Sequence, residues 1–327
     1  MPAGTAVLAL DMGATKLAAG IGAPDGEVTR VATAPTRAEE GAETVLKRAL
    51  ELAQQVHQKA TDAGEQIQAI GISTMGYTHE DRVELATNVP GWTELRIPAA
   101  VHGAFPDLPT AIGNDVHVAA QAEMAWGSLQ GVSDAIYLNL GSGISAGIIC
   151  GGRFLAGADG AAGEVGYTLF RGQPEPQMAA DGIGPFEAHF GGAGAARRLV
   201  QEGLPPSVAD TLAIADTNRK ARDLIDELWT GIAVLVVNMC AVLNPSVVSL
   251  GGGYVRGESD ENAGSGLVER IRDLTQRAAP IPPRITRARF GGDASLRGAV
   301  AIALARTTGA TTEALAKAAG APTGAPA

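Results

Sequence analysis

Two stretches of this chain share one plan. "LALDMGATKLAAGI" (Leu8–Ile21) and "YLNLGSGISAGII" (Tyr137–Ile149) each read as an apolar run, a polar turn bearing glycine, and a second apolar run. Short apolar runs bounded by glycine are strand signals, so each stretch predicts a β-hairpin. They lie about 130 residues apart, too far for a solenoid repeat. That separation suits two similar domains, each bringing one hairpin turn to a shared cleft. A third buried strand ends in "LGGGY" (Leu250–Tyr254). Glycine at such turns lets backbone N–H groups close on phosphate oxygens or on a flat adenine ring without a Cβ in the way. The first turn carries more than backbone: DMGATK holds a carboxylate, a hydroxyl and a cation in Asp11, Thr15 and Lys16.

Around these turns, strand and helix patterns alternate. Strand runs fall at Ala6–Leu10, Leu17–Ile21, Val28–Ala34, "IQAIGIS", Ala135–Leu140, Ser145–Cys150, "VVSL" and "RITRARF". Helical periodicity covers about Glu39–Thr61, Gly194–Glu202, Arg219–Leu243 and Ala294–Arg306, with another helix between "VVSL" and "RITRARF". The pattern is that of an α/β protein with mixed sheets. With 327 residues, 46% of them hydrophobic, the chain has material for about two domains. The first is expected to run to about Val116 and to regain the last helix, 294–310; the second to take 117–293; and 311–327, rich in Ala, Gly, Pro and Thr, to be a disordered tail.

Composition removes several function classes. A net charge of −10 leaves no clustered Lys/Arg face for nucleic acid. No run of 18 apolar residues and no basic, signal-like start is present, so a membrane span and an export signal are not expected. Cys150 and Cys240 stand apart without a CxxC and read as reduced thiols, which suits a cytoplasmic protein. There is no GxxxxGK[ST] and no GxGxxG opening a helix in a βαβ unit, so phosphates would be held by hairpin turns.

DMGATK, GNDVHVAAQAE, NLGSGISAG, AAGEVGY and LNPSVVSLGGGY occur in that order, and with them the chain resembles the ROK family of bacterial sugar kinases. The resemblance spans roughly Ala6 to Arg306. It implies a two-domain, actin-like (ribonuclease H-like) ATPase fold with a nucleotide cleft between the domains. No helix-turn-helix region precedes DMGATK, which speaks against the family's repressor branch. By the resemblance, Asp11 would hold magnesium through water, and Gly13, Thr15 and Lys16 would face the transferred phosphate of ATP. Ala14 stands where the family usually has a second glycine. Gly141, Ser142 and Gly143 would form the second phosphate loop, and Gly251, Gly252 and Gly253 the adenosine site. Asp115 matches the catalytic base, with Asn114 and Glu164 as sugar ligands; a carboxylate suits a polyol because it accepts from two neighbouring hydroxyls. Asn88, in "ATNVPGW", lies in the loop at the mouth of the sugar pocket. Trp92, Trp126 and Trp229 read as core aromatics, and His117 as a helix residue. A homodimer is the family expectation.

One departure bears on substrate. Many relatives carry a histidine and then C-x-C-G-x-x-G-C-x-E, whose three cysteines join the histidine on a structural zinc. Here Tyr167 replaces the histidine, and in "MAADGIGPFE" Met178, Ala180 and Pro185 fall on the cysteines and Asp181 on the first glycine, while Glu187 is kept. None of the four replacements forms a tetrahedral Cys/His site, so no zinc is expected. The lost histidine and the glutamate after the cysteines contact the sugar in the family, so Glu187 keeps one contact here and Tyr167 brings a phenol in place of the imidazole. The expected activity is therefore transfer of the γ-phosphoryl of ATP to a hydroxyl, a primary one, of a polyhydroxylated ring. Alternatives are a C7-cyclitol kinase in place of a glucokinase and, from another class, a non-catalytic sugar or nucleotide sensor. Polyphosphate as donor would favour a basic groove, and no Lys/Arg cluster stands out.

Overall fold

The computed structural model describes residues 5–78, 83–84, 86, 89–170, 182–255 and 266–309. The chain divides into two compact units: Met1–Ser133 with Ile149–Ala162 and Gly292–Ala327, and Asp134–Ile148 with Gly163–Gly291. The expected tail, 311–327, lies outside the described residues.

The first unit opens with β1 (Ala6–Met12), β2 (Lys16–Gly22) and β3 (Val28–Pro35), followed by α1 (Ala42–Asp62) and β4 (Ile67–Thr74). A two-stranded ribbon, β5 (Tyr77–Thr78) and β6 (Val83–Glu84), leads to α2 (Ile97–Ala104), β7 (Thr110–Asn114) and α3 (Asp115–Trp126). The sheet order is β3-β2-β1-β4-β7, with β1 antiparallel to β2 and parallel to β4, and β4 parallel to β7. Strand residues alternate faces. Leu8, Leu10, Met12, Ile70 and Ile72 therefore share one face, and they form a core with Val45, Ala49, Leu52 and Val56 of α1. The helical pattern expected from Glu39 is broken at Gly41 (φ 84°), so a short 3-10 turn precedes α1.

The second sheet starts with β8 (Ala135–Leu140) and β9 (Ile144–Cys150), and β9 turns back at its end into β10 (Arg153–Phe154), which counts with the first unit. There follow α4 (Pro185–Phe190), α5 (Gly192–Gln201), α6 (Val208–Ile214), α7 (Arg219–Leu243), β11 (Val247–Gly251), α8 (Leu267–Ala278) and β12 (Arg284–Arg287). The strands of this sheet stand in the order β10-β9-β8-β11-β12, with β11 parallel to both β8 and β12. Both sheets thus have a hairpin flanked by two further parallel strands, which is the shared plan of the two sequence stretches. Helix α7 is long and apolar enough to cross a membrane by length and composition alone. Its Leu228, Ile232, Leu235 and Val236 are instead buried in the second unit's core with Leu138, Ile144 and Val248.

The last helix, α9 (Ala294–Thr308), belongs to the first unit. It lies on the sheet face opposite α1 and packs on α3, within the same unit. The approach is close: a Cβ on Gly71 of β4 would stand 1.9 Å from the Ala299 carbonyl oxygen. Gly103, in α2, has no heavy atom within 4 Å of the equivalent point. Gly71→Ala should therefore cost about 2–3 kcal/mol by overpacking, whereas Gly103→Ala should stabilise by up to about 1 kcal/mol through helix propensity. Urea unfolding followed by tryptophan fluorescence separates the two, and equal effects would refute this packing.

Candidate active site

In the first unit, three parallel strands, β1, β4 and β7, end side by side. The register pairs Asp11 with Ser73 and Ser73 with Gly113, so these residues form a row that leads into Asn114 and Asp115. Carboxyl ends of parallel strands are where open α/β sheets bind ligands. Asp11 is buried, and burial pushes its carboxyl from 3.8 to about 7; the Ser73 hydroxyl tempers the rise, and the Asp115 charge adds to it. Asp293, at the start of α9, adds a further like charge and Lys16 opposes it. Neither Asp11 Oδ1 nor Ser73 Oγ has a hydrogen-bond partner of regular geometry among the described residues. A buried carboxylate oxygen without a donor fits a hydrated divalent cation, which supplies the missing positive charge through bound water.

The turn after Asp11 is tied down from behind. Gly13 N–H donates to Lys16 O (3.1 Å), Thr36 Oγ1 donates to Gly13 O (2.7 Å), and Thr36 N–H donates to Thr15 O (3.1 Å). Thr36 is itself buried, and its carbonyl accepts from Arg48 of α1 (2.6 Å), which is also paired with Glu40. Ala14, Thr15 and Lys16 are left exposed. Ala14 has no positive φ, so the turn does not require the second glycine there.

Asp115 is the first residue of α3, yet it does not cap the helix. Asn114 does: its Oδ1 accepts from Val116 N–H (2.9 Å) and His117 N–H (3.2 Å), while its Nδ2 donates to Gly76 O (3.0 Å). Asp115 Oδ1 accepts from Val116 N–H (2.9 Å), and the carboxylate also accepts from its own residue's N–H. Asp115 is half-buried, and desolvation raises its carboxyl to about 6. His117 is buried, its Nε2 is 3.0 Å from Ala162 O, and its ring packs on Phe154. Burial lowers its pKa. It is a packed helix residue with its ring nitrogen engaged.

In the second unit, Ser142 is exposed at the tip of the β8–β9 turn. Gly143 lies against Glu187: a Cβ there would be 2.5 Å from Glu187 Oε2. Of the glycines after β11, Gly252 (φ 92°) sits on the Leu140 backbone, 2.4 Å from an added Cβ, and Gly251 sits on Tyr137. Packing accounts for these two, and Gly253 alone faces open space. Glu164 Oε1 accepts from Ser145 Oγ (3.3 Å). Tyr167 closes the 3-10 turn Val165–Tyr167, half-buried, with its phenol pKa raised by burial and by the charges of Glu164 and Glu187. Pro185 is the first residue of α4. Asn88, Met178, Ala180 and Asp181 lie outside the described residues. Trp92, Trp126 and Trp229 are all buried.

A profile of the ROK family matches residues 7–306. The chain belongs to the ROK family. The N-acetylmannosamine kinase of Salmonella typhimurium is 27% identical over 303 residues, 90% of this chain and 97% of that protein. Among solved structures, the ROK hexokinase from Thermus thermophilus superposes with a TM-score of 0.74 at 29% identity, covering 90% of this chain and 96% of its own. A ROK glucokinase from Streptomyces griseus, in complex with glucose and AMPPNP, has the same fold at 23% identity (TM-score 0.70; 90% and 97% covered). This ROK chain therefore has the actin-like ATPase fold.

Two supporting contacts escaped sequence reasoning: that of Thr36 with the first turn, and that of Ser73, which the resemblance places only in the pocket wall, with Asp11. Thr36 reaches Gly13 across 23 positions, and Ser73 meets Asp11 only through strand register, so no local pattern marks either. The Asp11 shift has a measurable sign. Its folded pKa lies above its unfolded value, so its contribution favours folding at low pH and is lost as pH rises through about 7. Asp11→Asn should therefore raise the melting temperature at pH 8, with the gain shrinking as pH falls to 5. A gain independent of pH, or none, would contradict the buried carboxylate.

Proposed function

We propose that this ROK protein is an ATP-dependent kinase that phosphorylates a hydroxyl, a primary one, of a sugar or sugar-like ring, with Asp115 as general base. The observation that carries the proposal is the division of labour at the start of α3. Asn114 supplies the cap, so the Asp115 carboxylate is not committed to it and, held by backbone N–H groups, has a pKa of about 6, low enough to be ionised at neutral pH and close enough to accept a proton. The acceptor oxygen attacks the γ-phosphorus as its proton passes to Asp115, and the bond to the ADP oxygen breaks. Asp11 would hold magnesium through water, and the ion would neutralise charge on the donor phosphates. Thr15, Lys16 and Ser142 are exposed to meet those phosphates, with Gly253 towards adenosine. Glu164, Glu187, Asn114 and Asn88 would orient the ring. The solved relative with glucose and AMPPNP supports the donor class, and the kinase relatives support a sugar-like acceptor.

Tyr167 favours a second reading of the acceptor as a C7 cyclitol. A phenol in place of the family's imidazole changes the hydrogen-bonding pattern at the anomeric end of the pocket, and buried polar groups reject rings that leave them unpaired. No structural zinc is part of the proposal.

ADP release with Mg-ATP, measured across hexoses, N-acetylhexosamines and C7 cyclitols, tests the function. Turnover on at least one ring is expected, and Asp115→Asn should lower kcat by about 10²–10⁴ with little change in KM. Undiminished turnover in that variant would remove Asp115 as the base. Absence of turnover on every ring, with nucleotide still bound, would favour a sensor.

A further inference from the structure

The β8–β9 turn is fixed by partners on several sides, and only one of them is a side chain. Gly141 N–H donates to Gly143 O (3.0 Å), closing the turn on itself. Gly192 N–H donates to Gly141 O (2.9 Å) and Ala193 N–H to Ser142 O (3.1 Å), so the first residues of α5 hold the turn's carbonyls. Tyr254 N–H donates to Leu140 O (3.0 Å) just before it. The last tie is Ile144 N–H, which donates to Glu187 Oε2 at 3.0 Å. Ile144 is 1% exposed, so its N–H has no water to turn to if the carboxylate leaves. The carboxylate reaches that position only because residue 143 has no Cβ. Glu187 Oε1 meanwhile accepts no hydrogen bond among the described residues.

We infer that Glu187 is a positioning residue with two separate duties: Oε2 braces the Gly141–Gly143 turn in the shape that receives the donor phosphates, and Oε1 is left to accept from a hydroxyl of the acceptor ring. The inference rests on the kinase reading above and adds a physical link between donor and acceptor recognition within one carboxylate. Gly143 is then glycine for the sake of Glu187 and not to admit a phosphate. A residue that only bound sugar would leave nucleotide affinity untouched.

Three variants separate the duties. In Glu187→Gln, the amide oxygen can still accept from Ile144 N–H, but the other end donates and no longer accepts. Affinity for AMPPNP, measured by calorimetry without acceptor, should stay within about twofold of the parent, while KM for the acceptor should rise about tenfold or more. Glu187→Asp is one methylene too short to reach, and Glu187→Ala has no acceptor; both should weaken AMPPNP about fivefold or more. In both, hydrogen exchange across 141–144, followed by mass spectrometry, should be faster than in Glu187→Gln. If Glu187→Ala fails to fold, the Gln and Asp variants decide alone. Parental AMPPNP affinity and exchange in Glu187→Asp, with only the acceptor KM raised, would overturn the inference. If the parent protein binds no AMPPNP, the kinase reading falls with the phosphate duty, and the exchange comparison still decides the brace.

Discussion

A carboxylate buried at the end of a central parallel strand is the constraint around which the first unit is arranged. Asp11 cannot be satisfied by its own surroundings: its Oδ1 has no donor among the described residues, and Asp115 and Asp293 add like charge. A fold retains such a group where a ligand supplies what the protein withholds, because an unpaired buried charge otherwise lowers stability. The turn beyond Asp11 is consequently built from behind, through Thr36 and Arg48, so that Thr15 and Lys16 are left outward. Asn114 completes the arrangement by capping α3 and sparing the carboxylate next to it.

The two hairpins reach the same end with different parts. In the first, Thr36 ties the carbonyls of Gly13 and Thr15 through its hydroxyl and N–H. In the second, the N–H groups of Gly192 and Ala193 tie the carbonyls of Gly141 and Ser142. Engaging carbonyls internally removes their negative ends from the exposed side of a turn, and what is left there suits an anion. A single threonine and a helix N-terminus are chemically unlike, but each supplies two donors, one set to carbonyls two residues apart and the other to adjacent ones. The shared plan is thus one of topology and of hydrogen-bond accounting, and the residues that carry it need not match.

The fold was legible in the sequence where periodicity was long or repeated. The hairpins, the 25-residue α7 and the final helix follow from runs that leave little choice of period. Strand β7 was not legible: "TAIGN" is short, holds a glycine and buries only Asn114. Helices α2, α4 and α6 span eight, six and seven residues, too few turns for a pattern to rise above chance. The packing of α3 on α9 was not legible either, being a contact between segments far apart in the chain. Asp11, Asp115 and the glycine turns were visible because their motifs are local. Thr36, Ser73 and the hold of Glu187 on Ile144 were not, since each acts on a partner brought near only by folding.

The segment that carries Glu187 is placed by close packing at the start of α4. Pro185 opens the helix, and a proline at the first helical position arrives with its φ already set. Just before it, Gly184 lies so close to the 3-10 turn that a Cβ there would be 2.1 Å from Gly166 O. That contact brings the start of α4 against the segment holding Glu164 and Tyr167, and two residues after Pro185 the chain places Glu187. A rigid first turn and direct backbone contact fix the distance between the two segments through packing, which tolerates no bulk at 184. The turn that carries Tyr167 is in this way held through its backbone, by Tyr167 N–H on Glu164 O within it and by the contact of Gly166 with Gly184.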